Sequence, residues 1–484
     1  MTAVMLARRS VGPGALWLFG VGASAPLTVV GGAVVATFAT TGVVGLPLAF
    51  VVLAVALLPL AVPYVVMARH VGHPAPFYGT LGRVSGMLGV AGGWVSLLAY
   101  NCIQISLYGL LGDTLATNFG GPWWVWAGTA FIVVASLGRL RLNLNGSVFA
   151  WLLIFELTVL VIFNLAAFLH PAGGHVSFEP LSPDTLLAGG AGVGGAFAFG
   201  VACFAGFETP AAYAEEARSP RAIALATFLG LGSLVVLYGV SSWALAVTVG
   251  PDRVADAARE DPGLVSSLLE DRFGTLGAGA AGLLLITSIV AAMLSFHNTA
   301  ARTMFGMARE KVLPAGLAHI GVGTRGGAPT RASAVQSVTA LLVLAGAVLF
   351  EVAPLSLFTW LGTIGGLAVL FLLVVTALAA KKYFAAGGGG HEGAFVVHLA
   401  PVGGFIAGVL VLFTAGANLD SLLGLPQGSP LGWLAPALIG AVALVGLLHG
   451  VAVRYGSPDT YRGITRGRPN PLAVPDPRLA DLEV

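Results

Sequence analysis

The residue best able to do chemistry in this sequence is a lone carboxylate inside an apolar run, Glu156 in Leu153-Ile154-Phe155-Glu156-Leu157-Thr158-Val159. If that run crosses a bilayer, an ionised group at its middle is expensive, and such residues are functional by default. Glu156 could take up a proton or contribute to a cation site; its structural alternative is a protonated carboxyl hydrogen-bonded between helices. A second set of residues offers backbone chemistry. The stretch 17–40 is interrupted by Gly22-Ala23-Ser24-Ala25-Pro26, and the stretch 187–213 around Ala202-Cys203-Phe204-Ala205-Gly206. The same tripeptide precedes both, Phe19-Gly20-Val21 and Phe199-Gly200-Val201. Freed backbone groups are tolerated at membrane depth only where protein, water or a ligand satisfies them. A matched pair of breaks therefore predicts a binding site near the midplane.

Each break exposes helix termini carrying about half an elementary charge. Amide donors at the first break suit a carboxylate, and carbonyl ends at the second suit an ammonium or an ion. Together they suit a zwitterion with both groups on one carbon. On this reading Ala23, Ser24, Ala25 and Pro26 form one wall, Ser24 adding a hydroxyl. Cys203, Phe204 and Ala205 form the other, with the Phe204 ring either covering the substrate or packing. Ser96, Tyr100, Gln104 and Tyr108 recur every four residues, with Asn101 alongside. Successive members advance about 40°, and a polar face on a membrane helix looks inward. Tyr100 and Gln104 are thus candidates to line the cavity, interhelical hydrogen bonding being the alternative. Glu208 falls in the first turn after the second break, where it complements the helix dipole or contacts substrate or a proton. His297 reads as a packed residue. The signatures HExxH, GxSxG and the glycine-rich phosphate loop are absent. No enzyme activity, no metal and no cofactor beyond a coupling ion is expected, nor direct drive by ATP.

The elements that must position these residues are membrane helices. Charged residues make up 9% of the chain and the mean hydropathy is +0.91, against about 25% charged residues in soluble domains. Twelve apolar segments have the roughly 20 residues needed to span: about 15–40, 43–67, 85–111, 122–138, 148–169, 187–213, 223–249, 276–307, 333–352, 355–380, 395–417 and 429–452. With the amino terminus inside, only Arg253, Arg259 and Arg272 of the 23 Lys and Arg residues fall in outer loops, in accord with the positive-inside rule. Both termini are then cytoplasmic, the basic residues are topological, and no nucleic acid partner is implied. Arg8 and Arg9 lead straight into the first span, with no cleavable signal expected. Cys102 and Cys203 both lie within spans, which argues against a disulfide. The acidic outer loop 250–275 reads as a short amphipathic surface helix, or as a cation-attracting vestibule. The inner loop around Gly387-Gly388-Gly389-Gly390 reads as a flexible linker, and the tail after about 453 as poorly ordered. Spans 1–5 and 6–10 each open with a broken helix. Because five is odd, the second set runs oppositely through the membrane, giving an inverted repeat with spans 11 and 12 appended.

Three segments resemble the amino acid–polyamine–organocation transporters. Phe204-Ala205-Gly206-Phe207-Glu208, continuing through Ala214-Glu215-Glu216-Ala217-Arg218-Ser219-Pro220-Arg221, is similar to the group's sixth-helix signature and the loop after it. Asn298 to Arg302 followed by Met307-Ala308-Arg309-Glu310-Lys311-Val312-Leu313-Pro314 is similar to its eighth-helix ending, and Leu361-Gly362-Thr363 is a weaker match. The first helix departs from the group's commonest form, with Ala23-Ser24-Ala25-Pro26-Leu27 in its place. The likeness covers about residues 15–380. It implies an all-α polytopic protein with the five-plus-five inverted repeat of the leucine-transporter type and two extra C-terminal helices. It also implies ion-coupled movement of amino acids or related amines. Some proton-coupled relatives carry a Lys near the position of Glu156, so the charge is reversed here. Ser295, seven residues before Arg302, matches a serine that relatives often place near the cation region. Glu156 and Ser295 are accordingly the expected ion-coupling pair, for a proton or sodium.

The expected organisation is one transporter domain over 1–452. Its first repeat spans about 15–170, its second about 187–380, helices 11 and 12 about 395–452, and a cytoplasmic tail covers 453–484. The expected activity is secondary active import of an amino acid or related amine across the cytoplasmic membrane, coupled to protons more readily than to sodium. An exchanger without net ion coupling is the first rival. A sensor or channel on the same fold is the second, disfavoured by short tails and by breaks that suit a bound solute. Partners are the small substrate and membrane lipids.

Overall fold

The computed structural model describes residues 11–140, 142–321, 327–388 and 392–465, with the backbone alone described for 142–149. Arg8 and Arg9, part of the glycine run 387–390 and the tail beyond 465 lie outside the described residues. Among the described residues ten helices are long and apolar enough to cross a membrane, and two shorter apolar helices, Trp123–Leu137 and Gly192–Cys203, fall at the other two of the twelve expected segments.

The first span is two helices. α1 runs Pro13–Ala23, and α2 begins at Pro26 and continues through a π-helical stretch, Val29–Val34, to Thr41. Next come α3 (Leu46–Val71), the short α4 (Pro76–Gly82), α5 (Gly86–Phe119), α6 (Trp123–Leu137) and α7 (Leu142–Leu169). The second half opens with α8 (Gly192–Cys203) and continues with α9 (Pro220–Val249), α10 (Leu264–Arg309), α11 (Thr330–Leu349) and α12 (Pro354–Ala385). α13 (Ala400–Ala417), α14 (Leu434–Gly456) and α15 (Pro458–Gly463) follow, so the start of the tail, expected to be poorly ordered from about 453, is instead helical to Gly463 and tied to Glu310 through the Thr465 amide. The repeat is visible in the packing. Equivalent spans of the two halves lie against each other: α3 on α9, α5 on α10, and α6 on α11. α1 and α8 both end two residues after the shared Phe-Gly-Val tripeptide, at Ala23 and Cys203.

α5 is the most enclosed span. It packs along α12, α14 and α10, and this places Tyr100 at the centre of the bundle. The appended helices dock through glycines four residues apart. Gly446 and Gly450 of α14 sit on α5, where an added Cβ would approach Ala91 Cα to 2.6 Å and Met87 Cα to 2.8 Å. Such small residues let membrane helices approach closely. The acidic loop 250–275 includes a helix over Val254–Glu260 that packs on the C-terminal end of α2, with Arg259 donating to the Ala39 carbonyl at 2.9 Å.

Candidate functional site

The first break is built from local bonds and one distant carboxylate. The Ser24 amide donates to Val21 O at 3.1 Å and the Ala25 amide to Gly22 O at 3.2 Å, closing α1. Ala25 then adopts a left-handed conformation, φ 44°, which turns the chain. Pro26 restarts the helix at its first position, where a missing N–H is no loss. The next amide, Leu27 N, donates to Glu156 Oε1 at 2.6 Å. The same oxygen accepts from Ser288 Oγ of α10 at 2.8 Å, and the Thr28 hydroxyl donates to Ser288 Oγ at 3.3 Å. A carboxylate from α7 thus caps the positive end of α2, which accounts for an acidic group only 3% exposed at mid-span.

Glu156 and Ser295 line one cavity. It holds about 10 Å³, between α1, α7 and α10, with Phe19, Tyr213 and Asn298 also in its wall. That is close to the minimum for one water. Ser295 Oγ lies 3.5 Å from the Phe19 carbonyl, to which it donates. The two residues expected to share ion coupling are therefore neighbours, although 139 positions separate them.

The second break differs from expectation in its continuation. After α8 the chain makes turns over 204–208 and resumes as a five-residue 3-10 helix, Thr209–Tyr213. Glu208 precedes that helix. Its carboxylate reaches back, Oε2 accepting from Gly206 N at 2.9 Å, and does not cap forward. Gly206 has φ 115° and faces the first break directly; a Cβ there would stand 2.7 Å from Ser24 Oγ and 2.8 Å from Ser24 N. The breaks touch, and only glycine allows it. Glu208 is fully buried, and its Oε1 has no hydrogen-bond partner among the described residues; neither has the Tyr100 hydroxyl. Tyr64 donates to the Glu208 carbonyl at 2.9 Å.

Other expected residues fall elsewhere. Gln104 is not at the breaks. Its amide donates to Tyr108 Oη at 3.0 Å and accepts from Gln336 of α11 at 2.8 Å. The 40° advance per four residues carries the row from Tyr100, which lies beside Phe296 of α10, around toward α11. Phe204 belongs to a three-ring cluster with Phe50 and Tyr238, at centroid distances of 6.1 and 5.6 Å, so it packs and does not lie open over a cavity. Cys203 is buried, its thiol donating to Phe199 O at 3.3 Å. His297 bonds Ser333 of α11 at 2.8 Å, a packed residue as expected. Sequence reasoning missed Tyr238, whose hydroxyl donates to Ser24 O at 3.3 Å, and Ser288. The signal for Ser288 was present, since Ser288, Ser295 and Arg302 recur every seven residues, two helical turns.

At the end of the bundle that the charge pattern assigns to the cytoplasm, the path is shut. Arg302 and Glu216 form a buried bidentate pair, Nε to Oε2 at 3.1 Å and Nη2 to Oε1 at 2.9 Å. The guanidinium lies 4.3 Å from the centroid of Tyr213, whose ring stacks on Phe19 at 5.1 Å. Arg309 pairs with Glu215 at 2.6 Å. Val11 is bound on both sides to the loop after the second break, through Glu216 O at 3.0 Å and Arg218 N at 2.9 Å.

Two touching helix breaks within repeated halves, with a buried ion-pair layer at one end, are features of a secondary transporter. The chain belongs to the amino acid permease family, whose model matches residues 14–444. Solved structures agree in fold. A manganese transporter from Eremococcus coleocola, in complex with an aromatic bis-isothiourea substituted compound, superposes with a TM-score of 0.58 at 14% identity, covering 93% of this chain and 94% of that one. A mutant of the same transporter gives 0.56 at 13% identity, covering 96% and 98%. A comparison with curated proteins finds no match.

Proposed function

We propose that this permease imports an amino acid or related amine across the cytoplasmic membrane, driven by protons taken up at Glu156. The observation that carries the reading is the seat of Glu156 between Leu27 N and Ser288. One carboxyl there joins the first break to α7 and α10, so its protonation alters contacts on both sides of the hinge. The small cavity with Ser295 gives a proton-carrying water or a bare ion a place beside it. In this scheme the bundle containing α1, α2 and α8 rocks against α5 and α10, and the Arg302–Glu216 layer parts on opening inward. In this reading both termini lie inside; impermeant labelling of single cysteines should reach position 256 and not 218 in intact cells, and the reverse would overturn the orientation.

Reconstitution tests the function. Proteoliposomes with an imposed pH gradient should accumulate a labelled amino acid or amine above its external concentration. Counterflow without accumulation would make the protein an exchanger, and passive ion current would make it a channel.

A further inference from the structure

We propose that the preferred substrate is a cationic amine without a free carboxylate. This deepens the reading of the chain as a carrier of amino acids or related amines, and rests on it. A zwitterion needs donors for its carboxylate, and at the first break these are already engaged. Ser24 N and Ala25 N bond to α1 carbonyls, Pro26 has no N–H, and Leu27 N is held by Glu156. Glu156 stands at the helix N-terminus where an α-carboxylate would otherwise be received. The recess facing Ser24 is filled by Gly206.

The second break presents the opposite need. Glu208 Oε1 and Tyr100 Oη are buried and unpartnered, and buried polar atoms left unpaired are costly. An ammonium offers up to three donors, enough for each of these two acceptors. Among the described residues neither Glu156 nor Glu208 has a basic partner within ion-pair distance; Arg302 and Arg309 pair with Glu216 and Glu215. A substrate carboxylate would bring a third acidic group into a site with no free cation. An amine brings the missing one.

The test uses the purified full chain and matched pairs: arginine and agmatine, lysine and cadaverine, histidine and histamine, tyrosine and tyramine, leucine and isoamylamine, with the amino acid methyl esters alongside. Binding is read by calorimetry. At least one amine should bind at least about tenfold tighter than its parent amino acid, a difference of about 1.4 kcal/mol, and the ester should follow the amine. If no amine binds more tightly than its parent amino acid, this inference is overturned while the reading of the chain as a carrier of amino acids or related amines stands; failure of every compound to bind overturns both of these. Glu156→Ala, which releases the Leu27 amide, should narrow the preference for amine over amino acid, and Glu208→Gln should weaken amine binding about tenfold or more. An unchanged ratio in the first, or unchanged amine affinity in a folded Glu208→Gln, removes the stated cause.

Discussion

Replacing Glu156 by Gln separates its proton from its hydrogen bonds. Gln keeps an oxygen able to accept from Leu27 N and Ser288 Oγ, the two bonds seen at 2.6 and 2.8 Å. A bond to a charged group contributes about 1.5–3 kcal/mol and a neutral one about 0.5–1.5, so across the two bonds the variant should lose roughly 2–3 kcal/mol and stay folded. Glu156→Leu removes the acceptor and leaves Leu27 N unpaired, adding a penalty of about 1–3 kcal/mol; its melting temperature should fall below that of the Gln variant. Transport gives the decisive number. With the membrane potential clamped at zero, one pH unit supplies about 1.4 kcal/mol per proton, enough for about tenfold accumulation by a one-proton carrier. Proteoliposomes of the unaltered protein with an alkaline lumen should approach that ratio. Glu156→Gln should give a ratio near one while counterflow persists. A Gln variant that still accumulates substrate tenfold would reduce Glu156 to a structural cap on α2.

Three further outcomes follow from the geometry. Gly206→Ala places a Cβ 2.7 Å from Ser24 Oγ at φ 115°, so it should cost well over 1 kcal/mol and abolish substrate binding; calorimetry showing unaltered affinity would remove the contact between the breaks from the site. Arg302→Met strands buried Glu216 and should destabilise the closed layer by about 3–5 kcal/mol, letting a thiol reagent reach Cys203 from the inner face; Glu216→Leu added to it should restore protection, and continued exposure of the double variant would refute the pair's gating role. Glu310 sits just past α10 and accepts from His73 Nε2, Tyr78 Oη and the Thr465 amide. Burial opposes its charge, yet these bonds, the His73 bond foremost, hold its carboxyl below the ordinary range. Its contribution to docking of the 458–465 segment is therefore full above the usual Glu value of about 4.3 and lost as pH falls through the lower folded value; the hydrogen-exchange protection factor around Ile464, corrected for the intrinsic pH dependence of amide exchange, should be unchanged from pH 7 to 5 and fall below about 4, and a fall already at pH 6 would contradict the assignment.

The parts of this architecture that follow from local rules were legible in the chain. Apolar segments of spanning length and two glycine- or proline-marked breaks each depend on a few adjacent residues and on a solvent that forbids unpaired amides. Glu156 announced itself by cost. What was not legible is partnership across distance. The row Tyr100-Gln104-Tyr108 declares that a polar face exists, yet the rotation that leaves Tyr100 at the centre and sends Gln104 to Gln336 depends on where α11 packs. Phe204 could gate or pack on sequence grounds, and only its neighbours Phe50 and Tyr238 decide between them.

The same distinction bears on what the two halves do. The repeat makes α1 and α8 end alike, after identical tripeptides, but it does not make the two breaks chemically alike. The first restarts with Pro26, which removes a donor, and surrenders its next amide to Glu156. The second crosses a left-handed glycine and keeps a carboxylate oxygen unpaired. Symmetry brings the breaks into contact; departures from symmetry, at Pro26, Gly206, Glu156 and Glu208, set the sign of the charge that the contact can receive. With Glu156 and Glu208 buried and Arg302 and Arg309 paired with Glu216 and Glu215, in the proposed reading this sign is positive, and an amine supplies it.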